Sequence, residues 1–279
     1  MTRPGEGRRD TRGLVANTAS RPVTGALAQR AGPALGLVAA LVLGWELACR
    51  LLAVDPLTLP APSRILAALW DARGVAAGHA LTTLGETVVG FSVAVVFAVL
   101  AALAMDSLGW VRRAVYPLLV ASQTVPIVAV APLLVLWFGI GLLPKVVVVV
   151  LVTFFPIAVA LLDGLAGADR DAIDLLDSMG ASRRQQLLKL RLPGALPSFF
   201  TGLRISVTYA VIGAIFGEAV GAIDGLGIWI VLSKNLFRTD LVFAAILVTA
   251  ALTLGLWLLV GVAERVVIPW HRAARQARG

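Results

Sequence analysis

Long stretches of apolar residues dominate this chain and decide what it can fold into. A bilayer core of ~30 Å needs about 20 mostly apolar residues in an α-helix, because each residue advances the helix by about 1.5 Å. Six stretches approach or exceed that length and predict an all-α, polytopic membrane protein with about six transmembrane helices. The predicted spans are Ala34–Val54, Thr87–Met105, Ala114–Phe138, Val146–Leu162, Leu203–Val220 and Leu241–Ala263.

The third and fourth spans share one long apolar region, and turn residues set the boundary between them. Between Arg113 and Asp163 the only charged residue is Lys145, which follows a Gly-Ile-Gly segment at 139–141 and a proline. Such residues are typical of turns. We therefore expect two spans in this region, joined by a short loop.

The composition excludes a water-soluble fold. Apolar residues make up 59% of the chain and charged residues 14%, and the mean hydropathy is +0.90. A soluble domain carries about 25% charged residues, so a soluble enzyme, a disordered chain and a collagen-like chain are all excluded. Cys49 is the only cysteine, and neither His79 nor His271 has a cysteine nearby, so no disulfide framework and no metal site is expected.

The placement of positive charge predicts the orientation. If the spans alternate across the membrane, three quarters of the 24 lysines and arginines fall on the side of both termini. Such a bias marks the cytoplasmic side, so the net charge of +8 reflects topology and does not indicate nucleic-acid binding. We expect a transmembrane domain at 34–265 between two basic cytoplasmic tails, a flexible one at 1–33 and a short one at 266–279.

The one large inside loop, residues 163–202, is predicted to be structured. Asp171 can cap a short helix, with Asp174 three residues further on, and this helix ends at Gly180. Four apolar residues form one side of it: Ile173, Leu175, Leu176 and Met179.

A second short helix follows in the same loop. Ser182 and Gln185 have the spacing of a capping box, which opens a helix at Arg183–Leu190 that ends before Pro193. This pattern alone is compatible with two interpretations of the loop. The loop either folds back on its own bundle or binds a partner.

The loop resembles a known motif. Its segment Asp174-Leu175-Leu176-x3-Gly180-x9-Leu190-Arg191-Leu192-Pro193 is similar to the EAA loop, Glu-Ala-Ala-x3-Gly-x9-Ile-x-Leu-Pro, of the permease subunits of binding-protein-dependent ABC importers. The spacing matches throughout. The departures are an aspartate for glutamate, two bulkier leucines for the alanines and a leucine for isoleucine.

Further stretches resemble the branch of that family that imports nitrate, sulfonates, taurine and pyrimidine thiamine precursors. They extend over roughly residues 55–265. They are Leu59-Pro60-Ala61-Pro62-Ser63, Val125-Pro126-Ile127, Ala131-Pro132-Leu133, Trp137-Phe138-Gly139-Ile140-Gly141, Pro144-Lys145 and Phe154-Phe155-Pro156-Ile157. The segment 208–227, with Thr208-Tyr209-Ala210-Val211-Ile212-Gly213, Gly217-Glu218 and Gly225-Leu226-Gly227, looks most like permeases for hydroxymethylpyrimidine-type precursors.

The resemblance implies a MetI-like type I ABC importer permease in the inner membrane of a bacterium. The loop would then be a coupling helix seated in a groove of a cytoplasmic ATPase subunit. Its leucines and methionine would form the apolar contact, its arginines the polar rim, and Gly180 the sharp turn. The residues implied in ATPase coupling are Asp174, Leu175, Leu176, Met179, Gly180, Arg183, Arg184, Leu192 and Pro193.

The resemblance also implies further partners. A second permease copy would complete the pathway as a homodimer, and an extracytoplasmic solute-binding protein would dock on the outside loops 55–80, 139–145 and 221–240. The chain has no G-x-x-x-x-G-K-[ST] phosphate loop, so we expect no bound cofactor and no catalysis by this chain. ATP would be used by the partner subunit.

Four residues within the spans are candidates for the translocation pathway. Prolines in a span free backbone carbonyls, and transporters place polar contacts at broken helices. Gln123 and Thr124 precede Pro126 in the third span. Tyr209 and Glu218 lie on the fifth span, where an acidic side chain is costly.

Structural roles are predicted for other intramembrane residues. Glu46 and Arg50 are spaced to pair with one another on the first span, and Glu86 is expected at the interface. A glycine every fourth residue from Gly213 to Gly225 predicts close helix packing, against another helix of this chain or at the seam with a second copy.

Two other classes of membrane protein fit less well. An embedded enzyme is disfavoured because no G-x-S-x-G or H-E-x-x-H sequence occurs. An ion-gradient-driven secondary transporter is the alternative that stays open, although such proteins show internal repeats and paired intramembrane charges. No obvious repeat is visible here.

Overall fold

The computed structural model describes residues 23–270, with side chains from residue 32 onward except at residue 34. Of the predicted tails, residues 1–22 and 271–279 lie outside the described residues, and so does His271. Every regular element in the described range is helical, which confirms the all-α class. The helices are α1 (Val23–Leu51), α2 (Pro62–Asp71), α3 (Arg73–Ser107), α4 (Gly109–Ser122), α5 (Ile127–Phe138), α6 (Leu142–Ala166), α7 (Arg170–Ser178), α8 (Arg183–Gln186), a π-helical turn (Leu187–Arg191), α9 (Leu192–Gly221), α10 (Leu226–Asn235) and α11 (Thr239–Val267).

The membrane spans follow the predicted order. Among the described residues, four helices are long and apolar enough to cross a bilayer: α3, α6, the continuous helix Arg183–Gly221, and α11. The first predicted span lies in α1, which begins at Val23, earlier than the predicted Ala34. The alanine, leucine, glutamine and arginine residues before Ala34 favour a helix.

The predicted third span, Ala114–Phe138, is broken near Pro126. That region forms α4 and α5, which meet at an angle of 101° across a short break, and they add a fifth span only if the bent pair is counted as one. Pro126 causes the break, because it lacks an N–H and disfavours helical geometry at Val125 before it. Three turn-type backbone bonds, one of them from Gln123 N–H to Val120 O at 3.2 Å, close the corner.

Helices α6 and α9 form the centre of the bundle, and glycines allow their close approach. A Cβ at Gly202 would lie 2.6 Å from Ala160 Cβ, and one at Gly213 would lie 2.9 Å from a methyl of Val152. Gly217 faces the Lys145 backbone in the same way. Of the two alternatives for the glycine ridge, packing on a helix of the same chain holds for Gly213 and Gly217.

Helix α3 packs against α6 and α9 through a stripe of small residues. Ala94, Ala98 and Ala102 are fully buried at four-residue spacing. Gly90 continues the stripe and lies against Val149. Small side chains let helices approach closely in a membrane, where the hydrophobic effect adds little to helix association.

The short helix α2 lies outside the predicted spans and packs with Ile65 and Ala68 buried. It also meets the end of α1. Glu46 forms the predicted pair with Arg50 at 2.6 Å, and the Ser63 hydroxyl donates to the same carboxylate at 2.8 Å.

Close packing at Gly202 generates a stability prediction. Gly202→Ala should lower the free energy of unfolding by about 1–3 kcal/mol, because the added methyl overlaps Ala160 on α6. Gly194→Ala is the matched control on the same helix, since nothing lies within 4 Å of its added methyl. That change should be neutral or stabilising by up to ~1 kcal/mol. Thermal unfolding of the two purified variants in detergent measures the difference, and equal melting temperatures would contradict the packing.

Candidate functional site

A cavity of about 740 Å³ lies at the break between α4 and α5. It extends between this corner and the faces of α6 and α9. Its lining residues are Ser122, Gln123, Val125, Ile127, Val130, Leu151, Val152, Phe155, Pro156, Ile205, Tyr209 and Ile212. None of these carries a charge. The cavity therefore offers mostly apolar surface with a few neutral hydrogen-bonding groups.

Two of the four predicted pathway residues meet in this cavity. Gln123 and Tyr209 lie on different helices and both line it, and Tyr209 is 48% exposed. Thr124 lies at the same corner, but its hydroxyl donates to Ala121 O at 2.8 Å and it is not among the lining residues. The Ser122 hydroxyl likewise donates to Leu119 O at 2.7 Å. These two hydroxyls add hydrogen bonds to carbonyls at the end of α4, where regular helical bonding stops.

Glu218, the fourth predicted pathway residue, lies elsewhere, fully buried beside the start of α10. The hydroxyl of Thr83 donates to Glu218 Oε1 at 2.6 Å, and the Gly227 N–H donates to Oε2 at 2.6 Å. Glu218 is not among the residues that line the cavity. Its contacts are those of a structural cap.

The backbone N–H groups of Gly225, Leu226 and Gly227, at the start of α10, are all bound by side chains from other helices. Thr83 accepts from Leu226 N–H at 2.9 Å, and His79 Nδ1 accepts from Gly225 N–H at 3.1 Å. The third hydrogen bond runs from the Gly227 N–H to the Glu218 carboxylate. The first N–H groups of a helix have no partner within it, and their dipoles favour a negative charge. An acidic side chain is therefore stabilised at this place, although it is buried.

A second buried pair joins α3 to α6. The ammonium of Lys145 lies 2.5 Å from a carboxylate oxygen of Glu86, and both side chains are buried. Glu86, which was expected at the membrane interface, is buried here against the first turn of α6. The available signal was Lys145 itself, the single charge in a long apolar region, because an isolated intramembrane charge needs a partner.

The loop predicted to couple to a partner stands out from the bundle. Helix α7 buries none of its residues, and Leu175 and Met179 are 61% and 73% exposed. Leu176 is half-buried, whereas Asp174, Arg183 and Arg184 are exposed. The loop does not fold these apolar side chains into its own bundle.

The backbone at Gly180 has the expected sharp turn. Its φ of +75° lies in the left-handed region, where glycine is favoured. The Ala181 N–H bonds back to Leu176 O at 2.9 Å and closes the end of α7. The cap of α7 is Asp169, which accepts from the Asp171 N–H, so the prediction of Asp171 as cap was wrong by two residues.

The second loop helix begins as predicted and ends differently. The capping box of Ser182 and Gln185 is confirmed. The helix does not end before Pro193, however, but continues through the π-helical turn into α9. Pro193 lies just after the π-helical turn, where the bonding pattern changes, so its missing N–H falls at a junction and not within a regular α-helix. Leu192 and Pro193 are half-buried there.

A second cavity of about 430 Å³ lies where this segment meets the end of α3. Its lining residues are Asp106, Ser107, Arg183, Arg184, Gln186, Leu187 and Arg191. Asp106 and Arg191 form an ion pair there, at 2.6 Å. The sequence gives no local signal for this contact, because the two residues lie 85 positions apart.

Comparison with known proteins identifies the class of protein that combines this bundle and loop. The family model described as "binding-protein-dependent transport system inner membrane component" matches residues 94–271, and the chain belongs to this family. It is 41% identical to the formylaminopyrimidine transport permease protein of Halalkalibacterium halodurans, over 82% of this chain and 91% of the relative. It is 32% identical to the taurine transport system permease protein of Escherichia coli, over 85% and 89%.

Solved structures share the fold. An amino acid ABC transporter aligns with a TM-score of 0.57 at 14% identity, covering 72% of this chain and 96% of that one. The MetNI methionine ABC transporter, in inward-facing conformations, aligns with a TM-score of 0.51 at 21% identity and the same coverage. The predicted fold class and family are confirmed. The chain is a multi-pass membrane permease subunit of an ABC importer for a small solute.

The cap on α10 generates a second stability prediction. Thr83→Val should destabilise the protein by about 1–3 kcal/mol, because it keeps the shape of the side chain but leaves the Leu226 N–H and a Glu218 oxygen without their partner. Asp224→Ala is the control in the same segment, since Asp224 is exposed, and should change stability by less than about 0.5 kcal/mol. Thermal unfolding in detergent tests this; a Thr83→Val protein as stable as the control would contradict the assigned cap.

Proposed function

We propose that this permease imports an uncharged, planar heterocyclic solute of the pyrimidine type. The observation that carries the proposal is the absence of charged residues among those lining the cavity at the α4–α5 corner. A sulfonate or nitrate would lose its hydration there without gaining a cation, which is costly in an apolar site. A neutral heterocycle needs only apolar contact and a few hydrogen bonds, which Gln123 and Tyr209 can supply.

The names of two relatives support this solute class. One is a formylaminopyrimidine permease, and a riboflavin transport system permease of Chloroflexus aurantiacus is 36% identical over 86% of this chain and 91% of the relative. Both names refer to nitrogen heterocycles. The cavity at the α4–α5 corner would form part of the translocation pathway.

The energy for import would come from a separate cytoplasmic ATPase bound to the loop of α7 and α8. The exposed Leu175 and Met179, with Leu176 beside them, form the apolar contact in this proposal. Arg183 and Arg184 form its polar rim, and Asp174 lies at its edge. Because ATP is bound by the partner, this chain needs no cofactor of its own.

Two further partners complete the proposed importer. A second copy of this chain would close the open side of the cavity, and a solute-binding protein would deliver the solute on the opposite side from the ATPase. Exposed apolar residues of the 221–240 segment are available for that delivery: Ile223, Leu236 and Phe237. Both termini are then cytoplasmic, as the distribution of positive charge favours.

Uptake by membrane vesicles tests the proposal. Vesicles that contain the permease, its ATPase and its solute-binding protein should take up labelled hydroxymethylpyrimidine only when ATP is supplied. Excess taurine and nitrate should leave the rate unchanged, since neither anion suits the uncharged lining. Uptake driven by an ion gradient without the ATPase would instead support a secondary transporter, and competition by taurine would overturn the solute class.

The turn at Gly180 provides a test of the ATPase contact. Gly180→Val should leave membrane insertion intact and uncouple ATP hydrolysis from uptake, because a β-branched residue disfavours the left-handed backbone that sets the angle between α7 and α8. Gly180→Asn is the matched control, since asparagine tolerates this conformation, and should keep most of the coupling. The ratio of solute imported to ATP hydrolysed is the measurement. Equal ratios for the valine and wild-type proteins would contradict this role of the loop.

A further inference from the structure

One guanidinium group joins three helix ends next to the α7–α8 loop. Arg191 donates through both terminal nitrogens to the carboxylate of Asp106, at 3.0 and 2.6 Å. It also donates to the backbone oxygen of Leu165, from Nε at 3.3 Å and from a terminal nitrogen at 3.1 Å. Asp106 lies in the last turn of α3, Leu165 at the end of α6, and Arg191 at the junction of the π-helical turn with α9.

The position of Asp106 is costly without Arg191. The C-terminal end of a helix carries the negative end of its dipole, so an acidic residue in the last turn is destabilising. At the end of α6 the Leu165 carbonyl is among the last four, which have no partner within the helix. The guanidinium neutralises the carboxylate and binds this carbonyl, so one side chain offsets both costs. The two side chains are 25% and 11% exposed, and so they are only partly screened by water.

The same side chain is connected to the loop by a continuous series of contacts. The buried amide of Gln186, on α8, donates to the carboxylate of Asp177 on α7 and to the backbone oxygen of Ala181 at 3.2 Å. This holds α7 and α8 together across the Gly180 turn. Helix α8 then continues through the π-helical turn to Arg191 without a break. Such π-helical turns occur frequently at functional sites.

Apolar side chains also pack between the joined helix ends. The cluster of Ala102, Leu161, Leu165 and Ala195 is buried between α3, α6 and α9, with Leu187 and Leu192 against it. A Cβ at Gly164 would lie 3.0 Å from the Ala195 backbone, so α6 and α9 are in direct contact here. Apolar contact is non-directional, so this packing holds the helices together, whereas the forked contact of Arg191 fixes the loop end of α9 relative to the ends of α3 and α6.

We propose that Arg191 is a positioning residue that transmits movement of the α7–α8 loop to α3 and α6 through its forked contact with Asp106 and Leu165. This rests on the proposed ATPase contact of the loop. Without the fork, the loop would still bind the ATPase and follow its movement through α9 alone. The bundle would then not change its access from one side to the other, although ATP is hydrolysed.

The test uses the complete transporter with a single reporter cysteine. Cys49, the only native cysteine, is replaced by serine, and Ile205, a half-exposed residue lining the cavity, is replaced by cysteine. In this parent, trapping of the ATPase with ATP and vanadate should change the rate of maleimide labelling. In Arg191→Gln and Asp106→Asn that change should shrink about tenfold, with ATP hydrolysis retained, as expected for loss of a charge-assisted contact. Arg191→Lys keeps the charge without the fork and should behave as Arg191→Gln does.

Controls separate this role from a structural one. Lys189→Gln removes a charge from the same π-helical turn at an exposed residue and should leave the labelling change within twofold of the parent. The double variant Arg191→Gln with Asp106→Asn should be no worse than either single variant, because both remove one contact. A labelling change that persists in Arg191→Gln and Arg191→Lys, or independent effects in the double variant, would overturn the proposal. A parent that shows no ATP-dependent change would instead overturn the proposed function, and this result is obtained before any variant is compared.

Discussion

A polar group inside a bilayer has no water to bind, so each N–H, carbonyl and charge must find its partner within the protein. Helices satisfy most of the backbone of this chain, and its functional features lie where helices stop. At the α4–α5 corner, hydroxyls of Ser122 and Thr124 donate to carbonyls at the end of α4. At the start of α10, the side chains of His79, Thr83 and Glu218 bind three consecutive N–H groups. Bonding within the chain thus allows non-helical backbone inside the protein.

Hydropathy and length identify the spans, because these properties belong to each segment separately. Hydropathy and length do not indicate the direction of the helix axis. The region from Ala114 to Phe138 is therefore predicted as one span, although its two helices, α4 and α5, meet at 101° near Pro126. At Pro193 the error is the opposite one, because the sequence predicts a helix end where the helix continues. A proline typically ends a helix, but here Pro193 lies where the π-helical turn joins α9, and the helix continues past it.

The local features of the loop could be predicted, since Gly180, Ser182 and Gln185 act on their own neighbours. The paired charges could not. Glu218 meets Thr83 across 135 positions and Lys145 meets Glu86 across 59, so only the folded bundle brings them together. The sequence marks such residues as unusual for a span, but it does not distinguish a buried structural pair from a group that contacts a solute.

The side chains that bind the start of α10 also constrain the order in which the chain assembles. His79 and Thr83 are on α3, Glu218 is on α9, and the N–H groups they bind follow α9 in sequence. Helix α3 is synthesised well before α10, so the partners of His79 and Thr83 are made more than a hundred residues after them. The α10 segment can settle only after α3 and α9 have packed on α6. Packing of α10 is consequently a late step in folding, and it requires that the preceding spans have already packed.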